Sequence, residues 1–332
     1  MKNKLIYLSI SLLFLACGGN DEKPVKNTVN NTPPPVPVKV ERPDFNSDSA
    51  YLFVQQQVDF GPRFPNNPAH GKCAVYLENK LKSYGLKTTM QIGSATTFND
   101  KHITIKNIIG EYNPEAKKRI LLCSHWDSRP FADQDNKDMT KPILAANDGG
   151  SGVGILIEVA RQLSIKKPDI GVDIILFDAE DYGQPSSEMV ETRSDSWCLG
   201  SQYWAKNPHK KNYTAEYGIL LDMVGSANAY FTQEGISMKY APEIVKKVWS
   251  NARKIGYGNY FVDKQTYFVG TDDHQYINVI ANIPSIDIIH YDRGTGNFHP
   301  TWHTHNDNMD VIDKATLAAV GETLLETIYS EK

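Results

Sequence analysis

The chain has 332 residues, 40% of them hydrophobic and 22% charged, a globular composition that excludes a mainly disordered protein. Its 35 basic and 39 acidic residues leave a formal charge of -4, which argues against nucleic acid as a principal partner because phosphate binding needs a basic surface. Four cysteines, none in C-x-x-C spacing, exclude a disulfide scaffold, a zinc ribbon and a thioredoxin-like redox site. A bound metal would therefore have to be held by carboxylates and histidines.

Lys2 and Lys4 precede an apolar run from Leu5 to Ala16, too short for a comfortable membrane span and of the length of a signal-peptide core. It ends Phe14-Leu15-Ala16-Cys17-Gly18-Gly19, which resembles a bacterial lipoprotein lipobox; a plain secretory signal is the alternative. From Asp21 to Pro43 the chain holds six of its 18 prolines and no aromatic residue, a composition that cannot bury enough surface to fold. The expected organisation is a signal peptide over 1–16, a lipidated Cys17 with a Pro-rich tether over 17–43, and a catalytic domain over 44–332. An acylated Cys17 would hold that domain at a membrane of the bacterial cell envelope, facing the periplasm or the outside. Cys73, Cys123 and Cys198 then allow one disulfide at most, and Cys123, in an apolar run, reads as a buried thiol.

Beyond Asp44, apolar strands alternate with amphipathic helices. Ala74, Leu77, Leu81 and Tyr84 recur at helical spacing within 69–84, and Gly85 ends the run. Ile103 to Ile109 alternates as a half-buried or edge strand. The runs 120–123 and 172–177 read as buried central strands, and between them Val153–Leu163 is a helix opened by a glycine-rich turn. Strands at Tyr217–Leu221 and Ser285–Ile289 and helices at Ala241–Ile255 and Ala315–Ile328 follow. This succession predicts an α/β fold with a mixed, largely parallel central sheet flanked by helices, whose site gathers beyond the carboxyl ends of the strands.

Those ends carry the suggestive residues. After the 120–123 strand comes Ser124-His125-Trp126-Asp127; alone, an H-x-D pair is as readily a histidine oriented for packing. Asn147-Asp148-Gly149-Gly150-Ser151-Gly152 precedes the helix, where Asp could equally be a cap. Asp178-Ala179-Glu180-Asp181 directly follows a buried strand, and adjacent carboxylates there suit one metal ligand and one general base. Asp222 ends another strand, and a late loop carries Trp302-His303-Thr304. Five such ends together favour a metal site, and imidazole with oxygen donors and no thiolate suits zinc in an open catalytic site. No phosphate-binding G-x-x-x-x-G-K-[ST] occurs, and Gly149-Gly150-Ser151-Gly152-Val153 does not fit a serine-hydrolase elbow. Trp126, Trp197, Trp204 and Trp249 read as packing residues, with Trp197 a lesser candidate for the pocket rim. The acidic run Glu188–Asp195 reads as a solvated loop rather than a calcium cage.

In this order, H-x-D, N-D-G-G-S-G-V, D-A-E-D, L-L-D-M and W-H-T resemble the zinc aminopeptidase family M28. Within it, Gly61-Pro62-Arg63-Phe64-Pro65, Leu220-Leu221-Asp222-Met223-Val224-Gly225, Asp272-Asp273-His274 and Trp302-His303-Thr304-His305-Asn306-Asp307-Asn308 are most similar to the glutaminyl-peptide cyclotransferases. The resemblance spans about residue 45 to the C-terminus. It implies one zinc on Asp148, Asp181 and His303, Glu180 as general acid/base, Asp222 and Asp272 in the hydrogen-bond network around the reacting amide, and Trp302 as a pocket wall. The implied substrates are peptides and proteins with N-terminal glutamine. Animal members carry Glu in place of Asp181 and His near Asp287, so the resemblance assigns Asp287 no role.

Two other readings stand beside this one. A two-zinc aminopeptidase would use His125 and Asp222 as further ligands, and all five metal positions of the family are filled here. A catalytically inactive peptide-binding lipoprotein is the third, disfavoured by an intact Glu180 beside an intact ligand set. The anchor is tested by fractionation: Cys17→Ala should move the protein from the membrane to the soluble fraction with its domain folded. Unchanged membrane association of that variant would reject lipid attachment at Cys17.

Overall fold

The computed structural model describes residues 40–185, 195–266, 270–291 and 297–331. The signal, Cys17, most of the tether and residues 188–194 of the acidic run lie outside them. Val40–Lys332 form one compact unit, and Arg42 at its start ion-pairs with Glu322 and Glu326 on the last helix.

Two helices come first, α1 (Ser47–Val58) and α2 (Pro68–Ser83), each opened by an asparagine whose side chain accepts a backbone N–H of the first turn. Within α2 the expected Ala74, Leu77 and Leu81 are buried, and Gly85 beyond the end takes φ +83. Strands β1 (Lys87–Thr96), β2 (His102–Tyr112), β3 (Arg119–His125), β4 (Gly171–Phe177), β5 (Gly218–Asp222) and β8 (Ser285–Ile289) form a six-stranded sheet in the order β1-β2-β4-β3-β5-β8. The β4/β3, β3/β5 and β5/β8 pairings are parallel, whereas β1/β2 and β2/β4 are antiparallel. The sheet is thus mixed and largely parallel, as expected. The 103–109 run is an interior strand, and the edge on its side of the sheet is β1, whose partly exposed Lys-Thr-Thr-Met-Gln pattern carries no apolar alternation for sequence reading to find.

Alternation along the central strands divides the core by face. Ile120, Leu122, Ile174, Leu176, Ile219 and Leu221 join the larger cluster, with side chains of α1, of α3 (Gly150–Ile165), of α6 (Pro242–Lys254) and of α8 (Lys314–Ser330). Leu121, Cys123, Ile175, Phe177 and Leu220 join the second, with Trp204 of α4 (Leu199–Lys206) and Ile277 of α7 (Asp273–Val279). Sequence reading missed α1, α4, α7 and the small parallel pair β6 (Phe231–Glu234) and β7 (Phe261–Thr266). The helix expected over 241–255 is α6, opened by Pro242, whereas the short α5 (Gly235–Tyr240) before it was not read. Apart from α1, these elements run to eight residues or fewer, and packing rather than pattern stabilises them.

From β3 the chain crosses through α3 to β4 on one side, then reaches β5 on the other side of β3. That reversal of direction opens a crevice at the carboxyl ends of β3, β4 and β5. Helix α3 starts there at close range: a Cβ on Gly152 would meet the Ser124 hydroxyl and, at 2.7 Å, the Leu221 carbonyl. Gly152→Ala should therefore cost about 1–3 kcal/mol by overpacking. Urea denaturation checks this, and native stability would show that α3 can shift away from the sheet.

Candidate active site

Two turns bring the carboxylates of the site together, and each is held through its backbone by a buried aspartate. Asp127, at the end of β3, accepts the N–H groups of Glu180 (3.1 Å) and Asp181 (3.2 Å). Asp307 accepts those of Asn147 (2.7 Å) and Asp148 (3.0 Å). Asn147 Oδ1 in turn accepts Gly225 N–H, and the Ser151 hydroxyl bridges Asn147 O to Val224 N–H, fastening the Asp148 turn to the end of β5. The fully buried Arg63 donates to the carbonyls of Trp126, Leu144 and Ala145, joining the same turn to the end of β3. Asp178 faces away from this centre. It pairs with His70 and accepts the N–H groups of Lys106 and Ala179, so of the three carboxylates after β4 it is structural.

Asp148, Asp181 and His303 lie with one potential ligand atom each within 4.8 Å of one another, all buried. His303 Nε2 is 3.1 Å from Asp181 Oδ1 and 3.7 Å from Asp148 Oδ2. Asp148 Oδ2 and Asp181 Oδ2 are buried without a hydrogen-bond donor. Such oxygens are costly to leave unmatched, and a divalent cation at this point satisfies both. The donors are oxygen and imidazole, so these three residues fit zinc. A second set, His125, Asp148 and Asp222, meets the same distance limit. There His125 Nε2 lies 3.0 Å from Asp148 Oδ1 and 3.3 Å from Asp222 Oδ1.

Crowding of acids sets the charges. Burial and the neighbouring Asp181 push Asp148 up to about 7, while His125 pulls it the other way. Burial disfavours charge on Asp181 as well, yet His303 and Arg129 outweigh it and hold Asp181 below the usual carboxylate range. Burial places Glu180 well above that range, with Asp181 and Asp272 reinforcing the shift against the pull of His125. Cys198 was not foreseen here. Its Sγ–H donates to Glu180 Oε1 at 3.1 Å, and burial followed by the Glu180 charge keeps it a thiol. Asp272 is moved to about 6 by burial and by Asp222. Asp287 lies behind Asp272, fully buried, and is raised well above the carboxylate range by burial, Asp272 and Asp222.

Glu180, Asp181, Asp222 and Asp272 open onto a cleft of about 270 Å³ walled by Trp197, Phe298 and Trp302. Trp302 lines the cleft, stacked on His303 (3.8 Å between centroids, 26°) and against Phe298 (4.8 Å). Trp197 departs from the packing role: its ring stacks on His303 (6.0 Å, 8°), and the Arg129 guanidinium lies 4.6 Å over it. Trp204 and Trp249 are core residues, and Trp126 is buried against His70. The cysteines Cys73, Cys123 and Cys198 are all buried and free. Arg129, Asp133 and Cys198 escaped sequence reading because they carry no motif spacing, and Trp197 was only a lesser candidate for the rim.

A carboxylate–histidine centre at the switch point of a mixed sheet, beside an open cleft, defines a metal-dependent α/β enzyme. Residues 107–328 match Peptidase family M28, and the chain belongs to that family. It is similar to the glutaminyl cyclase of Bacteroides thetaiotaomicron solved with N-acetylhistamine bound: 53% identity and TM-score 0.86, covering 88% of this chain and 100% of that one. A Zn-dependent exopeptidase from Parabacteroides distasonis matches at 53% identity and TM-score 0.85, again over 88% of this chain and 100% of that one. Among curated proteins, the glutaminyl-peptide cyclotransferase of Gloydius blomhoffii is 25% identical over 293 residues, 79% of this chain and 75% of its own length.

Ligand and proton-transfer roles separate experimentally by metal content. Asp148→Ala and His303→Ala should each lose bound zinc, whereas Glu180→Gln should retain it with an unchanged fold. A zinc-depleted Glu180→Gln protein, measured by elemental analysis, would show that Glu180 and Asp181 have been assigned the wrong way round.

Proposed function

We propose that this domain is a zinc-dependent glutaminyl-peptide cyclotransferase, converting the N-terminal glutamine of peptides and proteins to pyroglutamate with release of ammonia. The observation that carries this reading is Glu180: a buried carboxylate held to a thiol, one residue from Asp181, with Asp272 across the same cleft. The similarity to named glutaminyl cyclases supports it over the length of the domain.

When bound at Asp148, Asp181 and His303, zinc supplies a Lewis acid for the γ-carboxamide of the substrate. Glu180 takes a proton from the substrate's own α-amine, whose nitrogen attacks the γ-carbon of the same residue. The new carbon–nitrogen bond closes a five-membered lactam as the bond to the amide nitrogen breaks. Glu180 returns the proton to that nitrogen, which leaves as ammonia. Both reacting groups belong to one residue, so orientation supplies much of the rate, and Trp197, Phe298 and Trp302 restrict that orientation while displacing water. Asp222 and Asp272 accept hydrogen bonds from the amide nitrogen and hold it towards Glu180. Burial, and after it the neighbouring Asp222, raise Asp272.

In this reading one zinc is bound per chain, and His125 hydrogen-bonds Asp222 and Asp148. A two-zinc aminopeptidase is the second reading, because His125, Asp148 and Asp222 approach one another as closely as the first set does. We also place the enzyme in the bacterial cell envelope, tethered through a lipid on Cys17. The run Leu5–Ala16 before Cys17 and the proline-rich segment after it support this placement.

Mass spectrometry of defined peptides separates the two activities. Gln-initiated peptides should become pyroglutamyl peptides with ammonia released and no free amino acid, while Leu- and Ala-initiated peptides should persist. Glu180→Gln should lower that turnover roughly 10²–10⁴-fold. Free N-terminal residues released by a protein holding two zincs would establish the aminopeptidase instead, and zinc-bound protein with neither product would leave a binding protein.

A further inference from the structure

We propose that Asp133 is a positioning residue for the metal ligand His303, and that Arg129 is the group that fixes Asp133. The proposal rests on the assignment of Asp148, Asp181 and His303 as the ligand set. An imidazole offers Nε2 to a cation only if Nδ1 carries the proton, so a ligand histidine needs an acceptor at Nδ1 and a fixed ring plane. His303 has its two nitrogens in different surroundings. Nε2 faces Asp181 Oδ1 at 3.1 Å and Asp148 Oδ2 at 3.7 Å, whereas Nδ1 faces Asp133 Oδ1 at 3.1 Å.

Asp133 lies in the loop between β3 and α3, outside any helix or strand, so something else must hold its carboxylate still. Arg129 does this with both edges of a fork: Nε donates to Oδ1 at 2.6 Å and Nη2 to Oδ2 at 2.9 Å. The same guanidinium is buried, donates through Nη1 to the Asp181 carbonyl at 2.8 Å, and lies over the Trp197 ring that stacks on His303. One arginine thus ties together the carboxylate that faces His303 Nδ1, the backbone of a second ligand and an aromatic wall.

The two loops are also joined along their backbones. Gln134 N–H donates to the His303 carbonyl at 3.3 Å, and His305 donates to Asp135 Oδ2 through its backbone N–H at 3.0 Å. His303 has φ +55, a conformation non-glycine residues rarely hold without such support. Lysine cannot reproduce the two-pronged contact, so Arg129 is specified by geometry as well as charge.

The test is equilibrium zinc affinity of the full domain by chelator competition, with the thermal midpoint of the zinc-free protein measured alongside. Asp133→Ala should weaken zinc binding about 10–100-fold, the usual worth of a partner to a ligand histidine. Asp133→Asn keeps an acceptor oxygen and should recover part of that loss, and Arg129→Lys should also bind zinc more weakly than the native protein. The zinc-free midpoint of Asp133→Asn should stay near native, which separates positioning from a general structural role. Native zinc affinity in Asp133→Ala would overturn the proposal, and so would a raised KM as its only defect, which would make Asp133 a substrate contact. Where Asp133→Ala does not fold, Asp133→Asn decides: affinity equal to native overturns it. Zinc binding is read without substrate, so absence of cyclase activity in the native protein leaves this result standing. A native protein that bound no zinc would overturn the ligand set and this proposal with it.

Discussion

Backbone amides captured by buried carboxylates are the constraint on which the site depends. Asp127 holds the Glu180–Asp181 turn and Asp307 holds the Asn147–Asp148 turn, each through two adjacent N–H groups. Charge-assisted bonds of this kind are about twice as strong as neutral ones. They set the backbone from which the facing side chains project, so the ligand carboxylates meet without depending on flexible rotamers. Asp307 is on the segment after His303, and Asp127 is two residues beyond His125. The residues that support one part of the centre therefore belong to the segments that build another.

These bonds also hold unfavourable backbone in place. Ala145, Ala179, Met223 and His303 all take positive φ, and each sits at a turn carrying a site residue. A non-glycine residue in this region costs about 1–3 kcal/mol and persists only where its surroundings dictate it. Arg63 supplies part of that pressure by binding the Leu144 and Ala145 carbonyls. Gly149 is different: its φ of +79 and the 2.7 Å approach of the His125 ring to its missing Cβ both require glycine. The strained turns let adjacent residues diverge in function, as between Asp178, which binds His70, and Glu180, which enters the cleft.

Concentrating acids in a buried cleft makes their charge states interdependent. Asp148, Glu180, Asp272 and Asp287 are all shifted upward, with burial the largest cause in each case. Asp181 alone of the proposed ligand carboxylates is shifted down, because His303 and Arg129 stand beside it. A divalent cation favours the ionised form of the carboxylates it touches, whereas burial works the other way on Glu180, Asp272 and Asp287. Asp287 lies behind Asp272 and not on the cleft wall, a position from which sequence reading could assign it nothing.

The sequence alone determined the alternation of strands and helices, because apolar periodicity is local and survives without tertiary context. It also determined which residues were chemically capable: Asp148, Glu180, Asp181, Asp222 and His303 stand at strand ends or in short motifs, and the family resemblance joined them to Asp272 and Trp302. Tertiary structure decided what no local pattern encodes. Whether Asp178 or Asp181 faces the centre depends on which neighbour its turn meets, and Asp178 met His70. Trp197 and Cys198 entered the site, and Arg129 came to hold Asp133 against His303, through contacts between segments distant in the chain. Such contacts exist only after the sheet has brought its carboxyl ends together, and that is why they leave no spacing to read.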